Sequence, residues 1–282
     1  AQKHSQSTFF VGDPAGNFQN RQLAQIDPSL VLQGRQPRLI DEWQEVLSLW
    51  DAVKFAVDQG TNKGQFILTG SATPSHRGVM HSGTGRIARL RMMPMSLFES
   101  GNSSGNVSLK NLCEGKLENV ITGEIRLQVL ASYILRGGWP GNLKLSTEDA
   151  LLIPAQYLDN MVTNDVAKVD DKVRDESKMR LLLRSLARNE STTATMARLK
   201  SDMQGVEQLT IDEDTIADYL NIFAKLFIIE NQKPFATAIR SSLRIKQAEK
   251  RHFTDPSFAC SLLGISDENR LIGDLKTFGF LF

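Results

Sequence analysis

The order of short apolar runs and helical patterns in the first hundred residues constrains the fold more than any other feature of the sequence. Apolar runs occupy residues 7–11, 38–40, 65–69 and 86–92. Between the second and the third run, residues 45–57 carry apolar side chains at helical spacing and end before Gly60. Because these runs are short and apolar on both faces, they are typical of central strands in a parallel sheet. The pattern predicts an α/β fold in which helices cover a parallel sheet.

The rest of the chain is predicted to be mainly helical. Helical patterns cover residues 122–135, 178–188, 192–203 and 215–227. The first of these helices should end at Gly137, and Asp212 or Asp214 can cap the last one. A segment with hairpin character follows around Pro234, and three helices followed by a hairpin predict a winged helix-turn-helix. We place the domain junction near residues 140–150, which gives a first domain over 1–145 and a second over 146–282.

Charge, cysteines and hydropathy exclude several classes of protein. The 282 residues include 33 basic and 32 acidic side chains, and the net charge of +1 is too balanced for a surface that binds nucleic acid or lipid head groups all over. Cys113 and Cys260 show no ligand or disulfide spacing, so neither zinc nor a disulfide framework is indicated. No signal peptide and no apolar stretch approaching ~20 residues occurs, so we expect a cytoplasmic location and no membrane partner.

The strongest local motif is a pair of carboxylates after the second apolar run. Asp41 and Glu42 follow Arg38–Ile40, at the predicted carboxyl end of a strand, where open α/β sheets present their ligand sites. Asp41 can hold Mg²⁺ through its waters, and Glu42 can orient and deprotonate an attacking water. The alternative is a solvent-exposed turn in which both acids favour the start of a helix.

Two weaker motifs point toward the same chemistry. Thr69 and Ser71 follow the third apolar run, and their hydroxyls could contact a γ-phosphate, although Thr and Ser before or after Gly also simply end strands. Arg86 ends the segment HSGTGR, where glycine backbone beside a guanidinium suits phosphate contact, although a solvated loop explains the composition equally well. No G-x-x-x-x-G-K-[ST] occurs in the chain, so it contains no loop of the kind that wraps phosphates.

Several motifs in one order resemble a family of bacterial and archaeal ATPases of the AAA superfamily. They are PRLIDEWQ, FILTGSATP, HSGTGRIARLRMMPMSLFESG, YILRGGWPG, DYLNIFAKLFII and TDPSFACSLLG. The resemblance implies an AAA-type P-loop ATPase domain followed by a winged-helix domain of unknown function, with ATP and Mg²⁺ as cofactors. It also implies that the Walker A segment lies upstream of Ala1 and that a nuclease-like fold follows Phe282. The chain would then be a fragment with an incomplete P-loop sheet, and we expect weak ATP binding by this polypeptide alone.

The same resemblance assigns roles to five side chains. It makes Asp41 and Glu42 the Walker B carboxylates, with Glu42 activating water and Asp41 holding Mg²⁺ through water. Ser71, with Thr69 nearby, lies where the sensor-1 polar residue is expected. Arg86 resembles the arginine directed at phosphate, either within its own subunit or in a neighbouring one, so an oligomer is compatible with this interpretation.

A competing interpretation is a non-catalytic regulator with a degenerate nucleotide site that binds DNA or a protein. Residues 178–200 hold six basic side chains and one acidic one, a regional charge of +5 that favours non-specific contact with DNA phosphates. The predicted recognition helix begins instead with the acidic residues 212–214, which would repel a major groove. Protein contact through the winged helix is the alternative to DNA, and the two remain open at this point.

Overall fold

The computed structural model describes residues 1–71, 83–116, 119–120, 123–170, 172–205, 210–238 and 240–282. The chain divides into two compact units, one formed by residues 1–91 with 168–171 and the other by 92–167 with 172–282. The main division therefore follows Arg91, whereas the sequence places the domain junction near 145. Residues 92–145 join the second unit because the helix at 127–136 packs against helices near the end of the chain.

The strands described by the structure are Ser7–Phe10 (β1), Arg38–Asp41 (β2), Phe66–Thr69 (β3), Ile229–Gln232 (β4) and Lys250–Phe253 (β5). The helices up to residue 170 are Ala15–Ile26 (α1), Pro28–Val31 (α2), Ser48–Gln59 (α3), Leu109–Cys113 (α4), Leu127–Arg136 (α5), Thr147–Asn160 (α6) and Val166–Asp170 (α7). Those that follow are Glu176–Arg188 (α8), Met196–Gln204 (α9), Glu213–Lys225 (α10), Leu243–Lys246 (α11), Pro256–Leu263 (α12), Glu268–Ile272 (α13) and Leu275–Leu281 (α14). Within these described ranges, no helix combines the length and the apolar character needed to cross a bilayer.

The first unit contains the predicted parallel sheet. Its strand order is β1-β2-β3, and both pairings are parallel. The central strand β2 buries Leu39 and Ile40 almost completely, as expected for a strand that is covered on both faces. The register pairs Asp41 with Phe10 on one side and with Thr69 on the other. The strand–helix–strand unit predicted from the sequence is confirmed as β2, α3 and β3.

The helices of the first unit pack on this sheet through a small apolar core. Its buried members are Val11, Ala24, Val31, Ile40, Val46, Leu49 and Val53, which come from β2, α1, α2, α3 and the segments beside them. The strand predicted over residues 86–92 is wrong. Gly83 instead starts a turn, with its carbonyl accepting the N–H groups of Arg86 and Ile87, and residues 87–92 have no regular structure. Alternation would place Ala88, Leu90 and Met92 on one face of a strand, but Leu90 and Met92 are 97% and 95% exposed, so that face is not buried.

The second unit contains three successive helices and then an antiparallel hairpin. The helices are α8, α9 and α10, and the hairpin is β4 paired with β5. Thr192, between α8 and α9, adds a single bridge to Arg251 of β5. The predicted order of helices and hairpin is therefore confirmed. Asp212 caps α10, since its carboxylate accepts the N–H of Thr215 at 2.7 Å.

A buried carboxylate joins two distant segments of the second unit. Asp255, which is 1% exposed, accepts the N–H of Gly138 at 2.7 Å through one oxygen. Its other oxygen accepts the N–H and the hydroxyl of Ser257 at 2.9 and 2.6 Å. Ser257 in turn accepts the indole N–H of Trp139 at 3.0 Å. The turn after α5 is thus fixed to the first residues of α12, and α12 also packs against α6 and α8.

A second buried carboxylate lies between α8 and the hairpin. Glu190 is 7% exposed; one of its oxygens lies 3.3 Å from Nδ1 of His252 and the other accepts the N–H of Phe253 at 3.1 Å. Burial raises the pKa of Glu190 to about 7, and burial lowers the pKa of His252. Ser191 extends the cluster, because its hydroxyl donates to the carbonyl of Phe280 in α14 at 2.7 Å.

Gly137→Ala should destabilise the second unit. The φ angle of Gly137 is 68°, and an added Cβ would lie 2.3 Å from an oxygen of Asp255. We expect the free energy of unfolding to fall by roughly 2–4 kcal/mol, measured by urea denaturation. Gly141→Ala is the matched control, because no atom lies within 4 Å of a Cβ there. Equal stability of the two variants would contradict the role given to this turn.

Glu190→Gln should change how stability depends on pH. The folded protein keeps the Glu190 proton up to about pH 7, whereas the unfolded chain releases it near pH 4.5. Between these values the folded state binds more protons, so wild-type stability falls as pH rises. Relative to Glu190→Gln, the wild type should lose roughly 3 kcal/mol between pH 4.5 and pH 7.

Denaturation at a series of pH values measures this difference. His252 contributes to the pH dependence of stability in both proteins. Glu176→Gln, at an exposed position on α8, is the control and should keep the wild-type profile. Parallel profiles for the wild type and Glu190→Gln would refute the prediction.

Candidate functional site

The carboxyl edge of the three-stranded sheet brings together most of the predicted site residues. Asp41 ends β2 and Thr69 ends β3, and the register places them side by side. The hydroxyl of Thr69 donates to one carboxylate oxygen of Asp41 at 2.5 Å. Both side chains are partly buried. A charged acceptor and a hydroxyl are thereby held at the sheet edge where open α/β sheets present ligand sites.

Glu42 lies directly beyond this edge in an unusual backbone conformation. Its φ and ψ angles are 56° and 42°, in the left-handed region that residues other than glycine seldom occupy. It precedes a 3₁₀ turn over Trp43–Glu45, after which α3 begins at Ser48. The left-handed residue ends the strand and reverses the chain toward α3 within a few residues. The sequence predicted a strand end here but gave no signal of this conformation.

Ser71 is linked to the site through Gln44, a residue with no role predicted from the sequence. The side-chain nitrogen of Gln44 donates to Glu42, and it also donates to the hydroxyl of Ser71 at 3.3 Å. Gln44 belongs to the same short motif as the two carboxylates. Its only signal in the sequence is a long polar side chain two residues after Glu42, which is too common to indicate a contact.

Arg86 is not brought to this edge. Its side chain donates to Asp58 at 2.5 Å, and Asp58 lies in the last turn of α3. Because α3 runs from the carboxyl edge of β2 back to the start of β3, its last turn lies toward the opposite edge of the sheet. The structure thus shows Arg86 paired with Asp58, and its role toward phosphate, within its own subunit or in a neighbouring one, stays a prediction. His81 and Ser82 of the same motif lie outside the described residues.

Another arginine of the same run lies closer to the start of α3. The guanidinium of Arg89 lies 5.6 Å from the ring centroid of Trp50, in the first turn of that helix. Trp50 contacts Trp43 with the ring centroids 5.0 Å apart, and Trp43 directly follows Glu42. Arg89 has no role in the predictions made from the sequence. Its position depends on aromatic packing over a distance that local spacing does not reveal.

The oxygens at this edge have the chemistry that suits magnesium. Carboxylates, hydroxyls and water are the ligands of a hard divalent cation, and Mg²⁺ in nucleotide sites uses one or two carboxylates with substrate phosphates. One oxygen of Asp41 accepts the hydrogen bond from the hydroxyl of Thr69. Within the described residues, no group of three or more His, Cys, Asp or Glu side chains could enclose a metal by itself. The oxygens of this edge are of the type that Mg²⁺ prefers, and their role in holding Mg²⁺ stays a prediction.

Two family models match the chain in the order of its domains. The model described as an AAA domain matches residues 6–100, which contain β1, β2 and β3 with Asp41, Glu42, Thr69 and Ser71. The model described as a domain of unknown function, DUF8612, matches residues 127–269, half of the 282 residues. A search of curated proteins found no match. The chain therefore belongs to the DUF8612 family, and its N-terminal region is an AAA-type, P-loop NTPase-like region.

Proposed function

We propose that this chain contributes to the binding and hydrolysis of ATP by an AAA-type ATPase. The observation that carries the proposal is the placement of Asp41, Glu42, Thr69 and Ser71 at one sheet edge, linked by hydrogen bonds within a region that matches the AAA domain. The region's family supports nucleotide binding, and the carboxylate beside the strand end supports hydrolysis. The motif G-x-x-x-x-G-K-[ST] does not occur in residues 1–282, so the proposal assigns no Walker A contact to these residues.

Each of these side chains has a separate task in the proposal. Glu42 accepts a hydrogen bond from the attacking water and takes its proton as the oxygen approaches phosphorus. Asp41 would hold Mg²⁺ through water, with Thr69 fixing the orientation of its carboxylate. Ser71, which is exposed, donates toward the γ-phosphate. When bound, Mg²⁺ would offset the negative charge of the triphosphate.

Arg86 has no task in its own subunit in this proposal. Asp58 holds its guanidinium, and the side chain of Arg86 is 51% exposed. A role toward the phosphate of a neighbouring subunit would require the ion pair with Asp58 to break. Hydrogen bonds from Lys54 and from Arg86 lower the pKa of Asp58.

The second unit supports the proposal of a winged helix. Helices α8, α9 and α10 precede the β4–β5 hairpin, and Thr192 adds a strand-like bridge between the first two helices and the hairpin. This is the order of a winged helix-turn-helix, in which α10 holds the recognition position. We propose that hydrolysis moves this domain.

The ion pairs of α8 and α9 help to decide between DNA binding and protein contact. Arg180 lies 2.6 Å from Asp159, and both Arg188 and Arg198 lie within 3.6 Å of Asp202. Carboxylates from outside the counted segment thus neutralise part of the regional charge of +5. The start of α10 is acidic, and its Asp218 pairs with Arg174 at 2.8 Å. These contacts favour protein contact over DNA binding for this domain.

Glu42→Gln should abolish ATP hydrolysis and spare ATP binding. We would assay the product of the complete open reading frame with Mg²⁺, following phosphate release and the binding of a fluorescent ATP analogue. Loss of the general base should lower kcat by about 10²- to 10⁴-fold. Glu45→Gln is the matched control, since Glu45 is an exposed carboxylate three residues away that pairs with Arg21 at 3.4 Å. Unchanged turnover in Glu42→Gln would remove Glu42 from its role.

Duplex DNA should bind weakly, because carboxylates pair with the arginines of α8 and α9. We expect fluorescence anisotropy with a short duplex to show a flat response between about 50 and about 200 mM salt. Binding that weakens steeply with salt would support the DNA-binding alternative. Arg184→Ala, which removes an exposed guanidinium of α8, would then have to reduce that binding.

A further inference from the structure

We infer that Gln44 is a positioning residue for the proposed hydrolysis: its side-chain amide holds the Glu42 carboxylate and links it to Ser71. The inference rests on the proposed function, because it assigns Gln44 a task only if Glu42 acts as the base. It concerns how the carboxylate is oriented at the sheet edge. Gln44 itself contacts neither water nor phosphate in this assignment.

The first support is the pattern of hydrogen bonds. The amide nitrogen of Gln44 donates both to a carboxylate oxygen of Glu42 and, at 3.3 Å, to the hydroxyl of Ser71. The orientation of the amide is fixed by chemistry, because an ionised carboxylate only accepts hydrogen bonds and must face the nitrogen. One side chain thereby joins the group that would activate water to the hydroxyl that would contact phosphate.

The second support is the packing around the other end of the amide. A Cβ at Gly70 would lie 2.2 Å from the oxygen of Gln44 and 3.0 Å from its carbonyl carbon. The absence of a side chain at position 70 is therefore what lets Gln44 pass between the end of β3 and the turn after β2. That oxygen is buried, and no hydrogen-bond partner is found for it among the described residues. A buried oxygen without a partner is costly, so the hydrogen bonds of the amide nitrogen have to offset that cost.

The third support is the backbone of Glu42. A left-handed residue with a side chain carries a conformational penalty, and such residues persist where the surroundings fix them. In this turn the donor from Gln44 supplies a contact that fixes the carboxylate. Without it, the side chain of Glu42 would sample other rotamers, and a displacement of about 1 Å at a reacting group can lower a rate about 10²-fold.

The test compares Gln44→Met and Glu42→Gln in the product of the complete open reading frame. Methionine has nearly the length and volume of glutamine, so it keeps the packing against Gly70 and removes the donor. We expect kcat to fall about tenfold to hundredfold, with the KM for ATP and the melting temperature unchanged. Gln59→Met, at an exposed position in the last turn of α3, is the matched control and should keep the wild-type kcat.

The outcomes separate this inference from the proposed function. If Glu42→Gln is inactive and Gln44→Met keeps kcat, or raises only KM, the assignment of Gln44 is overturned and the base remains Glu42. If Glu42→Gln retains turnover, the proposed function fails and the inference fails with it. Should Gln44→Met lose its fold, Gln44→Glu provides the second variant, because it keeps the shape and places an acceptor against Glu42. A wild-type kcat in a folded Gln44→Glu protein would also overturn the inference.

Discussion

The parallel register between β2 and β3 is the constraint on which the candidate site depends. It sets Asp41 level with Thr69, and a shift by one residue would turn the alternate side chains of β2 to the other face of the sheet. The start of β2 secures this register. Arg38 is 9% exposed, its backbone N–H donates to Gln65 at 2.9 Å, and its guanidinium donates to the carbonyl of Val31 at 2.5 Å. The apolar residues Leu39 and Ile40 then fill the core, and the two carboxylates follow at the carboxyl end.

The separation of two residues along the chain decides whether the sequence could predict their contact at this edge. Three strands, α3 and the placement of Asp41 near Thr69 were predictable, because apolar periodicity and parallel pairing act along short segments. The ion pair of Arg86 with Asp58 was not predicted, because Asp58 is 28 residues away and belongs to a helix face that the arginine motif does not reveal. Gln44 was missed because its contacts require the left-handed turn at Glu42, for which glycine or asparagine would have been the usual signal.

The second unit shows the same difference between local and distant interactions. The helices and the capping aspartate of α10 were predictable from spacing. The contact of Asp255 with Gly138 joins residues 117 positions apart, and the buried carboxylate adds to the left-handed φ of Gly137 as a reason why the turn after α5 needs glycine. The net charge counted for residues 178–200 overstates the positive charge of this region, because Asp159 and Asp202 lie outside the segment and pair with its arginines.

The left-handed conformation of Glu42 explains why its carboxylate depends on the hydrogen bond from Gln44. A left-handed residue other than glycine is less stable by roughly 1–2 kcal/mol than a right-handed one. Glycine at position 42 would remove this penalty but would also remove the carboxylate, so the turn can keep its acid only if neighbouring groups hold it. Gln44 lies in the 3₁₀ turn that Glu42 itself initiates, and it reaches Ser71 because Gly70 leaves room. The strained residue, the amide and the glycine are therefore one interdependent arrangement, and changing any one of them alters the position of the carboxylate.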